Sequence, residues 1–458
     1  MLPRAVMPIR EFANFLVCCL SAWLLFVTAT PASASAPHYV FAHYMVCYSD
    51  YGATVRGYEH DIQDAQAAGI DGFALDVGEW NGPDTYYNTN VELMYEAAES
   101  LTNGFKLFFS VDMQNTNEIV QMISSYAHRT NSFYYNGGLV ISTYGAPGFF
   151  WTNGVFKPLQ TMGISNIFFI PDFPAENAGW PTVAGANAVL ATYTFLNGLF
   201  VWVSGTAWDV TNLDSTYYSA CQTQGKLFMA SCSPTYWGCN QTTASRSYFD
   251  TLGGEGLVNE WNWIIQHQPD WVEIVTWNDF SEGTYTSPIG NPGQYEAQVQ
   301  APVRYSHAGY LELSKRYISW YKTGVPPAIN QDALYYFYRI HSKNAIATND
   351  IPVTYFMVGS APGIIQDAIY HTLFLTAPAQ LNVVSGTNSV VYSLGAGMQQ
   401  LSTPFAPGTQ TFTLTRNGTQ VLSVQGPQIL SQITNYDYFT VSGFAYGLSA
   451  PTSLKAKP

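Results

Sequence analysis

Between Tyr39 and Trp277 one unit recurs: a short apolar strand, a polar turn, a helical stretch, then the next strand. β-Branched and apolar runs place the strands at 39–46, 72–76, 106–112, 138–143, 167–172, 199–203, 227–232 and 272–277. Eight strands in about 240 residues is the size of a (β/α)8 barrel. An open doubly wound sheet competes, but the Gly-rich phosphate turn that usually follows its first strand is missing.

The helices between the strands announce themselves by 3.6-residue stripes. Asn115-x-x-Glu118 resembles a capping box and precedes Ile119, Ile123 and Tyr126 on one face. Val91, Met94, Tyr95 and Ala98 make a second stripe, and Leu313, Tyr317, Trp320 and Tyr321 a third. Next comes Gly324-Val-Pro-Pro-Ala-Ile-Asn330, which reads as a domain boundary. Beyond it the runs alternate with period two, at 333–340, 352–358, 368–376, 380–384, 389–392, 409–414, 419–424 and 438–441. Turn signals such as Asn417-Gly and Gly426-Pro separate them, as in an all-β sandwich. The expected fold class is α/β: a (β/α)8 TIM barrel over residues 37–324, then a C-terminal all-β sandwich over residues 325–458.

Residues 1–36 carry the marks of a secretory signal peptide. Arg4 and Arg10 precede an apolar run from Phe15 to Thr28, and Ala32-Ser-Ala34 or Ala34-Ser-Ala36 offers small-residue cleavage. The run is short for a membrane anchor, and no later stretch reaches about 20 apolar residues. The mature chain is expected to be secreted, free of the membrane and monomeric. Cys47, Cys221, Cys232 and Cys239 would then meet an oxidising compartment, with three full pairings open and a Cys232–Cys239 staple preferred. Asn240-Gln-Thr and Asn417-Gly-Thr are glycosylation acceptors, expected at the surface.

Composition narrows the partner. Net charge is −14 with no Lys/Arg cluster, which excludes the basic footprint that nucleic acid requires. Aromatic residues reach 16%, including 32 Tyr and 12 Trp, a supply suited to stacking on flat ring faces.

In a barrel all strand C-termini face one mouth. The first strand brings His43, Tyr44 and then Tyr48; the second brings Asp76, with Glu79 and Trp80 beyond. Asp112, Tyr144 and Asp172 end the next three. The sixth carries Trp202 near its end and Trp208 beyond it, Tyr236 and Trp237 follow the seventh, and the eighth delivers Trp277, Asn278, Asp279 and Glu282. Carboxylates among aromatic plates suit carbohydrate, since rings stack on sugars while Asp, Asn and His bond hydroxyls. Glycosidic cleavage needs one carboxylic acid to protonate the leaving oxygen and one carboxylate to activate water or attack the sugar. Asp279 and Glu282 are the best pair, because both leave one strand end. Asp76, Asp112 and Asp172 are reserves. A metal-dependent hydrolase would want several strand-end histidines, and His43 alone is placed for that; no metal or cofactor is expected. G-x-S-x-G of a serine hydrolase is absent.

Phe41-Ala-His-Tyr-Met-Val46, Gly69-Ile-Asp-Gly-Phe-Ala-Leu-Asp76, Ile170-Pro-Asp172 and Val275-Thr-Trp-Asn-Asp279 together resemble glycoside hydrolase family 71, the fungal α-1,3-glucanases or mutanases. The likeness runs from about Tyr39 to Thr323 and continues into the C-terminal region. The resemblance implies an endo-acting, metal-independent, inverting hydrolase of α-1,3-glucan, with catalytic roles carried onto Asp279 and Glu282. Glu282 is expected as the acid and Asp279 as the base. Two stretches depart from the family pattern: Cys47-Tyr48 stands where Gly-Asn is frequent, and Asn278-Asp-Phe-Ser-Glu-Gly-Thr284 where Asn-Asp-Tyr-Gly-Glu-Ser-His is usual. The acids are kept and their neighbours changed. A barrel glycosidase acting on another α-linked glycan such as α-mannan, or a silent wall-glucan-binding protein, are the competing expectations.

Overall fold

The computed structural model describes residues 37–82, 86–145, 148–173, 182–238, 248–249, 251–288, 305–350 and 365–447. The expected signal peptide, Cys239, Asn240 and the strand at 352–358 lie outside them.

Strand and helix alternate eight times in the first part of the chain. The strands are β1 (Tyr39–Met45), β2 (Gly72–Val77), β3 (Lys106–Val111), β4 (Gly138–Thr143), β5 (Ile167–Phe169), β6 (Gly198–Phe200), β7 (Leu227–Cys232) and β8 (Trp271–Ile274). After each comes a helix: α1 (Val55–Ala67), α2 (Tyr86–Leu101), α3 (Thr116–Tyr126), α4 (Lys157–Thr161), α5 (Val183–Thr192), α6 (Ala207–Gln224), α7 (Gly254–His267) and α8 (Ala308–Thr323). All eight expected strands exist, but β5, β6 and β8 stop short of 172, 203 and 277. For β5 the reason is local: Pro171 has no N–H to give the ladder.

The eight strands are parallel and sequence neighbours pair, giving the order β4-β3-β2-β1-β8-β7-β6 with β5 on β4. The first strand pairs with the last, from Tyr39↔Trp271 to Ala42↔Ile274. Between β5 and β6 the contact narrows to one parallel bridge, Asp172↔Phe200. Two backbone bonds flank it, Asn197 N to Phe169 O (2.9 Å) and Phe200 N to Pro171 O (3.0 Å). The fold is mixed α/β.

Period-two alternation sorts the strand side chains into two cores. Phe41, Ala74, Phe108, Val140, Phe168, Phe200, Met229 and Trp271 fill the inner face. Val40, Ala42, Tyr44, Phe73, Leu75 and Val77 point outward onto the helices, where the expected stripes of α2 and α3 are buried. On α8, Leu313, Tyr317 and Tyr321 are buried and Trp320 stacks on Tyr317. At α3, Asn115 caps the N–H groups of Asn117 and Glu118, but Glu118 bonds the Asn115 side-chain amide (2.6 Å). The reciprocal capping box forms instead at Thr206 and Asp209 of α6.

Past α8 the chain builds two antiparallel four-stranded sheets. Its strands are β9 (Ala333–Arg339), β10 (Ala368–Leu375), β11 (Ala379–Ser385), β12 (Asn388–Leu394), β13 (Gly397–Pro404), β14 (Gly408–Arg416), β15 (Thr419–Ile429) and β16 (Thr440–Tyr446). The orders are β13-β10-β9-β16 and β12-β11-β14-β15. Leu334, Tyr336, Ile369 and Leu373 from one meet Leu381, Val383, Phe412 and Leu414 from the other. Strand β13 went unrecognised in the sequence, because its Met-Gln-Gln-Leu-Ser-Thr run is half-exposed on a sheet edge. The opposite face of β9, Tyr335 and Phe337, joins the core of α7 and α8. Phe337 presses so close that a Cβ on Gly254, the first residue of α7, would lie 2.3 Å from its ring.

Cys47, Cys221 and Cys232 are free thiols. The preferred Cys232–Cys239 staple is therefore corrected on the Cys232 side: that thiol is fully buried at the end of β7, facing Glu260. No helix among the described residues is long and apolar enough to cross a membrane.

Candidate active site

His43 stands two residues beyond Phe41 on the inner face of β1, so it sits directly above the aromatic floor. It is fully buried. Its Nε2 lies 2.9 Å from Asp76 Oδ2, and its Nδ1 lies 2.7 Å from Glu273 Oε1. Burial alone would lower the pKa of His43, but the two carboxylates outweigh it and raise it to about 9. Trp202 covers the imidazole edge-on (4.4 Å, 74°), and Tyr144 packs on both rings. Glu273 was absent from the expected site. Its parity was the available signal, since Trp271, Glu273 and Val275 share the inner face of β8.

Asp172 is buried at the bridge between β5 and β6. Burial raises its pKa to about 7 against the N–H groups of Trp202 and Gly145 and the charge of His43, which lower it. Asp112 is solvent-accessible at the rim. Partial desolvation and then Asp76 hold it at about 7, with His43 pulling the other way.

Past β8 the Val275–Thr276 peptide is cis. The chain then folds back, with Thr276 N bonded to Thr284 O (3.1 Å) and Thr286 N to Thr276 O (3.0 Å). Within this closed loop stand Asp279, buried, and Glu282, half-buried. Asp279 Oδ1 accepts from Ser281 N (2.9 Å), Ser281 Oγ (2.7 Å) and Glu282 N (3.0 Å). Burial raises the Asp279 pKa and these three donors oppose the rise. Among the described residues Glu282 has no such cradle. Burial, then the neighbouring Asp279, push it up to about 8, with His43 drawing it back. One carboxyl is thus equipped to carry charge and the other to keep its proton near neutrality. Cys47, at one of the departures from the family pattern, faces Asp76, Asp279 and Tyr87, and burial pushes its thiol up to about 12.

The remaining expected contacts divide. Tyr144 (37% exposed) and Trp208 (48% exposed) offer ring surface, and Trp202 is partly accessible. Tyr44, Trp277, Asn278 and Trp237 do not reach the mouth and are corrected from substrate contacts to supports. Tyr44 alternates onto the helix side, and both its hydroxyl and Trp277 Nε1 bond the buried Asp61 at 2.9 Å. Asn278 clamps the end of β1: its Oδ1 accepts from Met45 N (2.8 Å) and its Nδ2 donates to Met45 O and Tyr48 O. Trp237 is buried against Tyr438, and its backbone N–H holds Glu282 O at 2.7 Å. Tyr236 is half-buried, edge-on to Phe249. Trp80 likewise packs inside, against Tyr126.

Known sequences align along this whole frame. The profile of glycosyl hydrolase family 71 matches residues 36–450. A glucan endo-1,3-alpha-glucosidase of Schizosaccharomyces pombe is 30% identical over 435 residues, 90% of this chain and 96% of that protein. A mutanase of Penicillium rubens is 29% identical, covering 86% of each chain. An ascus wall endo-1,3-alpha-glucanase of Schizosaccharomyces pombe is 27% identical over 87% of this chain and 94% of that one. With the profile spanning every described strand and helix, this chain belongs to glycosyl hydrolase family 71 and is a glycoside hydrolase.

Proposed function

We propose that this enzyme is a secreted endo-acting α-1,3-glucanase that works by single displacement with inversion. Glu282 protonates the glycosidic oxygen, and Asp279, its charge supported by three donors, activates the attacking water. The observation that carries this reading is the unequal treatment of two neighbouring carboxyls on one loop. The names of the relatives supply the polymer. Asp76, Asp112 and Asp172 bond sugar hydroxyls, while Tyr144, Trp202 and Trp208 stack on ring faces. Residues 37–324 form the catalytic domain, a (β/α)8 barrel closed at the Asp172↔Phe200 bridge, and residues 325–458 the β-sandwich domain. Residues 1–36 are removed on export, and the monomer acts outside the cell at the wall. Asn240 and Asn417 carry N-glycans; Asn417 is exposed in the β14–β15 turn.

The test is proton NMR of the first sugar released from insoluble α-1,3-glucan, with α-mannan as control. The β-anomer is expected, and the α-anomer would overturn single displacement. Asp279→Asn and Glu282→Gln should each lower kcat by roughly 10²–10⁴-fold with little change in KM. Wild-type turnover in either variant, or turnover of mannan alone, overturns the assignment. The alkaline limb of kcat/KM should fall at about pH 8, where Glu282 loses its proton.

A further inference from the structure

We infer that His43, clamped between Asp76 and Glu273, is a positioning residue that stays an imidazolium beneath the mouth and fixes Asp76. The argument starts from donors. A neutral imidazole owns one N–H, yet carboxylate oxygens stand at 2.7 Å and 2.9 Å from both ring nitrogens of His43. The ring is fully buried beneath Trp202 and Tyr144, and each nitrogen is already occupied by its carboxylate oxygen. Glu273 is equally buried, and its Oε2 has no hydrogen-bond partner among the described residues. Burial raises the Glu273 pKa, and the bond and charge of His43 oppose the rise, so the cation beside it is what favours the carboxylate over the acid. The two partners come from β8 and the end of β2, so the clamp also ties the first strand to both its neighbours.

His43 touches no substrate; its reach is electrostatic. The acids facing its charge are Asp112 at the end of β3, Asp172 beyond β5 and Glu282 beyond β8, besides its two direct partners. The charge of Asp76 acts in turn on Asp279, and both act on Cys47. In each of the three acids the imidazolium favours the ionised form. At Glu282 it draws the carboxyl back against burial and the repulsion of Asp279. The importance of Glu282 rests on the proposed function, whereas the charge of His43 does not.

The experiment therefore reads titrations, not turnover. In the full chain labelled with ¹⁵N-histidine, the His43 signals are identified by their loss in His43→Gln. Both ring nitrogens should be protonated at pH 7 and titrate at about 9; a singly protonated ring at pH 7 overturns the inference. Should His43→Gln not fold, Glu273→Gln keeps the shape and an acceptor for Nδ1. It should drop the His43 pKa toward its ordinary value of 6.5, and an unchanged pKa overturns the clamp. Glucan left uncleaved by the wild type would sink the proposed function and leave these readouts standing.

Discussion

Trp277, Asn278 and Asp279 are consecutive, yet only the third has its side chain among the acids of the mouth. The indole N–H of Trp277 and the hydroxyl of Tyr44 supply two donors to Asp61, a fully buried carboxyl whose pKa burial raises well above its ordinary value. Trp277→Phe removes one donor and leaves a small void where the larger indole stood. The expected cost is about 1–3 kcal/mol of stability, read as a lower thermal midpoint, while KM for glucan stays at the wild-type value. A raised KM with an unchanged midpoint would return Trp277 to the substrate surface. Asn278 argues the same way: its three bonds to Met45 and Tyr48 use both amide hydrogens and the carbonyl oxygen.

At the scale of the element, the loop after β8 is a closed unit resting on other parts of the chain. Tyr285 stacks flat on His307 (3.9 Å, 6°), and His307 reaches on to Thr440 O of β16 at 2.9 Å. Phe280, Tyr285, Trp237, Tyr438 and Phe439 share one aromatic cluster, so the C-terminal sheets help to seat the acids. Gly283 is the tightest point. Its φ is +64°, and a Cβ there would meet Phe439 Cε1 at 3.0 Å and Trp237 N at 3.2 Å. Gly283→Ala should cost about 1–2 kcal/mol from the left-handed backbone alone. By shifting Glu282 it should also lower kcat by roughly tenfold or more, with both acids still present. Melting curves and reducing-sugar release check the two parts, and an unchanged kcat would mean that Phe439 does not seat the loop.

For the whole molecule, many buried ionisable groups make stability depend on pH. Burial raises Asp61, Asp214 and Glu260 well above their ordinary values and Asp437 to about 7. The native state therefore holds protons that the unfolded chain has released, and stability falls as pH rises through these windows. His43 adds to this: its clamp contributes fully below 6.5, and the contribution is lost as pH rises to about 9. His307 and His371, lowered by burial to about 4 and about 3, act oppositely, but their effect is complete by pH 6.5. Between pH 6.5 and 9 nothing in this set opposes the loss, so the thermal midpoint should fall steadily there, and less steeply in His43→Gln. A flat midpoint across that range would contradict the raised His43.

Hydrophobic period and helix stripes are local properties, so the eight strand–helix units and most of the C-terminal strands were legible in the chain itself, whereas the inward acid Glu273 was not. The likeness to family 71 needed only four short motifs. The direction of single side chains past the strand ends was not legible, because alternation fails once the ladder stops. Trp277 then turns to the helices and Asp279 to the mouth. Nor does linear order reveal that Glu273 reaches the imidazole of His43, 230 positions earlier. Sequence by itself determined which chemistry is present and at which edge of the sheet it gathers. Only the tertiary structure decided which carboxyl is cradled, which keeps its proton and which is neutralised, because those outcomes depend on burial and on partners brought together from distant strands.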